Sequence, residues 1–148
     1  MRLRAAKATV EEVVAEIATL NPGVTREALM EDVEVDPEDA SRVKGDVRWS
    51  NNGIAVLPES IGDLTVGGTL HLAYNKLATL PASFGSLTVG GGLSLSDNNL
   101  ATLPASFGNL KVGTKVGGVL NLGPGVVFLG GNPVAASRPR FDGLDVRY

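Results

Sequence analysis

Few residues in this chain are of types that could do chemistry. His71 is the single histidine, set between Leu70 and Leu72, where strand alternation turns it outward. There is no cysteine, which excludes disulfides and thiolate metal sites together, and one histidine gives zinc no ligand set. A Ser-His-Asp arrangement can be drawn from Ser94, His71 and Asp97 on adjacent strands, but nothing in the pattern orients the imidazole or supplies an oxyanion hole. A phosphate loop needs Gly-x4-Gly-Lys-Ser/Thr; Gly108 to Lys115 reads GNLKVGTK, with threonine ahead of lysine, and leads toward a strand. Gly90-Gly91-Gly92 also precedes a strand, where a dinucleotide fingerprint would follow one. The chain therefore does not read as an enzyme, and no catalytic, cofactor-binding or metal-binding residue is expected. What remains is a set of outward polar side chains suited to holding a protein: Arg48, Ser50, Asn51, His71, Tyr74, Ser94, Ser96, Asp97 and Asn121.

Those residues form a set because the chain repeats itself. Leu57 to Thr79 reads LPESIGDLTVGGTLHLAYNKLAT and Leu80 to Thr102 reads LPASFGSLTVGGGLSLSDNNLAT, two 23-residue units that align without a gap. A period of this length predicts a solenoid, in which each unit buries its apolar side only against its neighbours. In each Leu-x-Leu the two leucines face the core and the flanking residues face out. Outward positions then align one period apart: Arg48, His71, Ser94 and Asn121 in one column, Ser50, Ala73 and Ser96 in a second, Asn51, Tyr74 and Asp97 in a third. Asn52, Asn75 and Asn98 recur at the same interval, each expected to bond backbone groups of its own and adjacent coils. Gly67-Gly68 and Gly90 to Gly92 precede each strand, where a sharp turn is expected to need positive φ. Pro58, Pro81 and Pro104 follow the leucine that ends each strand segment and stop pairing from extending.

The pattern Leu-Pro-x-x-(Ile/Phe)-Gly-x-Leu, followed by Leu-x-Leu-x-x-Asn-x-Leu-x-x-Leu-Pro, resembles the leucine-rich repeat family in its 23-residue, intracellular scaffold-type form, from residue 46 to about 125. The resemblance implies an α/β fold: a short right-handed solenoid whose parallel strands line a concave face that commonly binds protein. The family's second leucine, three residues after Leu64, is replaced by Gly67, with Val66 beside it. The convex side is therefore expected to be loop or a single turn.

The ends depart from the repeat. Residues 1–45 read as an N-terminal helical cap. Thr9 and Glu12 form a capping box ahead of Val10, Val13, Val14, Ile17 and Leu20 at helical spacing. Asn21-Pro22-Gly23 ends that helix, Thr25 caps a second through Met30, and Asp36-Pro37 opens a third that stops near Gly45. The cap is either a lid over the solenoid's open end or an acidic docking helix. Residues 46–57 are a worn first coil whose Trp49 packs inward against that lid. Residues 46–132 thus make about four coils, the last irregular: four extra residues precede a strand at Leu120 and Leu122. Gly123-Pro124-Gly125 then turns a hairpin into Val126–Leu129; the other register makes Val127-x-Leu129-x-x-Asn132-x-Val134 the final coil. The hairpin is preferred, because Val-Gly-Gly precedes Leu120 as it precedes Leu70. Residues 133–148 are a polar, loosely held tail.

Composition bounds the partners. The 148 residues are 43% apolar and 20% charged with a net charge of −3, which gives no electrostatic footprint for nucleic acid or anionic membrane. Residues 1–45 hold ten acids and six bases, while residues 46–132 hold four of each, a sparse and mostly neutral polar surface. The first residues lack the apolar core of a secretory signal, and no apolar run is long enough to span a bilayer. The expectation is a cytoplasmic chain, monomeric or weakly self-associating, that binds a protein partner; the runner-up is a structural subunit contacting a complex through its cap, end or convex loops.

Overall fold

In a computed structural model of the chain, residues 7–113, 125–141 and 143–148 are described. The first helix, α1 (Val10–Leu20), opens on the expected capping box: Thr9 Oγ1 accepts from Glu12 N at 3.1 Å, and Glu12 Oε1 accepts from Thr9 N at 3.0 Å. Val10, Val13, Val14 and Ile17 are buried along one face. A short second helix, α2 (Arg26–Met30), is capped by Thr25 and buries Leu29. Trp49 is fully buried and its Nε1 donates to the Leu29 carbonyl at 2.7 Å, tying the helices to the first coil as its inward position predicts.

The third helix is not formed. Residues 35–43 instead make a hairpin of β1 (Val35–Asp36) and β2 (Asp39–Val43). Asp36 and Pro37 suit the first positions of a turn as well as a helix start. The carboxylates decide between them, with Asp36 Oδ1 accepting from Glu38 N and Asp39 Oδ1 from both Ser41 N and Ser41 Oγ. The Ser41 hydroxyl, and then its N–H, hold the Asp39 carboxyl below its ordinary pKa. That stabilisation is fully present above the unfolded carboxylate pKa and is lost as pH falls through the depressed value.

The repeat region builds two sheets. The first contains β3 (Val47–Arg48), β5 (Leu70–His71), β7 (Leu93–Ser94), β9 (Val126–Phe128) and β10 (Asp145–Arg147), all parallel, in the order β10-β9-β7-β5-β3. The second runs β1-β2-β4-β6-β8, with β4 (Thr65–Val66), β6 (Thr88–Val89) and β8 (Lys111–Val112) parallel to β2. Between the sheets each coil makes one 3-10 turn, Glu59–Asp63, Ala82–Ser86 or Ala105–Asn109, begun at Pro58, Pro81 or Pro104. The second sheet was not foreseen. It arises where the family's leucine is missing, since a short segment ending in a β-branched valine (Val43, Val66, Val89, Val112) pairs with the matching segment of the neighbouring coil. Leu70, Leu72, Leu77, Phe84, Leu87, Val89, Leu93, Leu95 and Leu100 are fully buried between these layers, and the Phe84 and Phe107 rings stack 6.2 Å apart.

The glycines ahead of the strands serve a different need from the one expected. None of Gly67, Gly68, Gly90, Gly91 and Gly92 has positive φ. Neighbouring coils simply approach too closely for a side chain, since a Cβ on Gly68 would lie 2.1 Å from Asp46 Oδ1 and one on Gly67 2.4 Å from the Lys44 carbonyl.

The last coil takes the register that was not preferred. The strand beside β7 is β9, with Leu93 opposite Val127 and Ser94 opposite Phe128. The position beside Leu93 is therefore Val127's, and Leu120, Asn121 and Leu122 lie outside the described residues. The tail is not loose. Asn132 is followed by a 3-10 turn at Pro133–Ser137, Phe141 packs on the Phe107 ring at 5.1 Å, β10 pairs with β9, and the Tyr148 hydroxyl donates to the Pro139 carbonyl.

Candidate functional site

The asparagines hold the strands in place from inside. Asn75 Oδ1 accepts from Asn52 N and Ile54 N, both at 3.0 Å, while its Nδ2 donates to the Trp49 and Leu72 carbonyls at 2.9 and 3.0 Å. Asn98 repeats this one coil on, taking Leu77 N and donating to Leu72 and Leu95 carbonyls. The next rung is Asn132, which takes Leu100 N and donates to Leu95 and Leu129 carbonyls. At the other end the ladder breaks: Asn52 Nδ2 donates only to the Ser50 carbonyl. Asn21, buried at the end of α1, closes that coil, with Oδ1 accepting from Ala55 N and Val56 N and Nδ2 donating to the Ile17 and Val56 carbonyls. Its sequence signal is only an asparagine at a helix stop.

With the strands fixed, register brings the outward side chains into rows. Arg48 lies beside His71, His71 beside Ser94, Ser94 beside Phe128, and Phe128 beside Arg147. Three of these residues were expected in this row. Phe128, 42% exposed, takes the place expected for Asn121, and Arg147 extends the row. The signal for Phe128 was present in Val127-x-Leu129-x-x-Asn132, which spells a coil with its ladder asparagine. Arg48 and Arg147 each pair with the aspartate two residues back, at 3.3 and 3.1 Å, exposed contacts worth at most about 1 kcal/mol.

The other two rows divide. Ser50 and Ser96 are half-exposed, but Ala73 between them is buried and offers little. Asn51, Tyr74 and Asp97 are the most exposed set, and all three are left-handed, at φ +57°, +57° and +56°. Asn and Asp adopt this conformation readily, whereas a tyrosine there costs roughly 1–2 kcal/mol. The Asn51, Tyr74 and Asp97 N–H groups donate to the Ala73, Ser96 and Gly130 carbonyls, which holds each residue in its turn. The strain leaves Tyr74 standing off the sheet, 64% exposed.

Chemically this surface offers hydrogen-bond donors and acceptors around two aromatic rings. Among the described residues no hydrogen bond joins His71 to Ser94 or Asp97, and no cluster of three His, Cys, Asp or Glu side chains could hold a metal ion.

Residues 92–110 match the family model for the leucine-rich repeat. That stretch is similar to a leucine-rich repeat. Within it, Leu93 and Leu95 of the repeat are the buried strand leucines, Asn98 is the ladder residue, and Phe107 is the aromatic of the 3-10 turn. The match supports the leucine-rich repeat family for the chain, and the parallel strands with flanking helices fit an α/β fold. A comparison with curated proteins gave no match. Among the described residues no helix is long and apolar enough to cross a membrane.

Proposed function

We propose that the chain is a short leucine-rich-repeat solenoid, closed at its start by α1 and α2 of the segment 1–45, with coils over residues 46–132 and a final segment over 133–148. It binds a protein partner through the outward side of the first sheet. Leucine-rich repeats generally mediate contact between proteins. The observation that carries the reading is the alignment of Arg48, His71, Ser94 and Phe128 in one register row beside a left-handed, exposed Tyr74. Ser50, Asn51, Ser96 and Asp97 complete the surface, with Phe128 standing where Asn121 was expected. Strained, exposed aromatic residues of this kind concentrate where ligands are gripped, and tyrosine is among the commonest anchors of interfaces.

Size sets the strength. Five strands spaced about 4.8 Å apart give a sheet roughly 20 Å wide, short of the ~800 Å² per partner of a standard interface. Binding through the strip alone is weak, and firm binding recruits the neighbouring loops. Changing His71 and Tyr74 together to Glu should remove the partners recovered by affinity capture and mass spectrometry from the source cell, with the melting temperature unchanged. An unchanged set of recovered proteins would exclude the strip.

A structural or scaffold role is favoured by a separate observation, the exposed acidic face of α1 with Glu11, Glu12 and Glu16. In that case Glu11→Lys with Glu16→Lys removes the recovered partners and the His71/Tyr74 pair of changes does not.

A further inference from the structure

We propose that two copies of this chain associate through β10, pairing antiparallel about Val146 so that their first sheets run on as one. β10 is the last strand of its sheet, and no strand lies on its far side among the described residues. Leu129 N donates to the Arg147 carbonyl at 2.8 Å, so the Arg147 backbone faces β9. In a ladder the neighbouring residue faces the other way, so the N–H and carbonyl of Val146 point outward, a template for a further strand.

The same end of the molecule is only half covered. Phe141, Leu144, Val146 and Tyr148 pack against the core yet stay partly exposed, and with Arg138 and Arg140 they line a depression of about 530 Å³. Beyond the first coil, by contrast, α1 and α2 bury Val13, Val14, Ile17 and Leu29 completely. The occupant follows from the sequence Leu144-Asp145-Val146-Arg147-Tyr148, which is self-complementary about its centre. A two-fold axis at Val146 sets Asp145 opposite the partner's Arg147, and Leu144 opposite the partner's Tyr148. Asp145 and Arg147 lie on the exposed face, and the apolar residues lie on the half-buried one. Opposite charges directly across strands stabilise, and like charges destabilise.

Parallel addition is disfavoured by the same test. The strand offered at the other edge is β3, whose Asp46-Val47-Arg48 repeats Asp145-Val146-Arg147, so stacking copies head to tail in the register of the coils would set arginine beside arginine and aspartate beside aspartate. The antiparallel interface is isologous and closes at two copies. The inference does not rest on the binding strip: Arg147 extends the strip's row, but the changes that test the strip, at His71 and Tyr74, lie on and just beyond β5, three strands away from β10.

Sedimentation equilibrium on the full chain tests it. The expected result is a monomer–dimer equilibrium, with dimer populated at about 100 µM, as suits a small interface. Asp145→Arg should raise the dissociation constant about tenfold, because it sets two arginine pairs across the axis. Adding Arg147→Asp to it should restore the original value. Val146→Pro, which removes an N–H that β9 does not use, should give a monomer with an unchanged circular dichroism spectrum. A monomer at ~1 mM, assemblies that grow past two copies, dimerisation that survives Val146→Pro, or a double charge swap no tighter than Asp145→Arg alone would each overturn the proposal.

Discussion

Asn75 illustrates how one side chain holds two coils together. It meets five backbone groups of its own and the preceding coil, in a place largely closed to water. Removing it leaves those groups buried and unpaired, at roughly 1–3 kcal/mol each before relaxation. Asn75→Ala should therefore lower the unfolding free energy by about 3 kcal/mol or more, measured by urea denaturation. Asn52→Ala, at the half-exposed position one coil earlier, should cost under ~1 kcal/mol. Equal losses would mean that the two asparagines do the same work. The ladder was legible where the spacing held at 23, and Asn132, 34 residues after Asn98, was legible only in the register that was not preferred. Asn21 was hidden for another reason: its partners Ala55 and Val56 lie 34 and 35 residues away and meet it only once α1 has docked. The outward position of His71 followed from strand alternation, whereas Tyr74, two residues after the inward Leu72, is turned outward by a left-handed backbone that had no sequence signal, since tyrosine is not a residue that favours it.

Among the elements, the 3-10 turns are in closest contact. Ser106 Oγ donates to the Ala82 carbonyl, and Ser83 Oγ to that of Glu59, each reaching back one coil. Ser60 stands at the same place in the first coil, where no earlier turn exists, and its buried hydroxyl has no partner. Gly85 admits this packing, since a Cβ there would sit 1.9 Å from the Ser106 carbonyl oxygen. Gly85→Ala should destabilise by about 2–3 kcal/mol, because backbone has to move, whereas Gly45→Ala, which meets nothing within 4 Å, should stay within about 0.5 kcal/mol by thermal denaturation. Docking of the helices is tested at Trp49. Trp49→Phe leaves the Leu29 carbonyl without its donor, and should cost about 1–2 kcal/mol and speed hydrogen exchange in α2 before the strands. Uniform exchange across the chain would show that the helices and coils open as one unit. The capped helices were readable from Thr9, Glu12 and Thr25. The hairpin at Val35 to Val43 was not, because Asp-Pro suits a helix start as well as a turn, and the choice is made by the Asp36 and Asp39 carboxylate bonds together with the pairing of β2 with β4, a tertiary contact.

For the molecule as a whole, the architecture rests on coils that pair at a constant register, Val47 to Leu70 to Leu93, and then step over the long segment to Val127 and Val146. The repeat of 23 residues announces the first three. The step does not announce itself, because Val-Gly-Gly precedes Leu120 as it precedes Leu70, and the register is set by the pairing of β9 with β7 and the ladder bonds of Asn132. The proposed binding row depends on the same step, which puts an aromatic ring where an amide was expected. A chain without cysteine allows the register to be read by disulfide trapping. Neighbouring strands are about 4.8 Å apart, within reach of a disulfide. Ser94→Cys combined with Phe128→Cys should oxidise rapidly to an intramolecular bond without loss of structure, while Ser94→Cys combined with Asn121→Cys should remain reduced under the same conditions. Rapid closure of the Ser94–Asn121 pair, with the Ser94–Phe128 pair left as free thiols, would contradict the stack and the strip together.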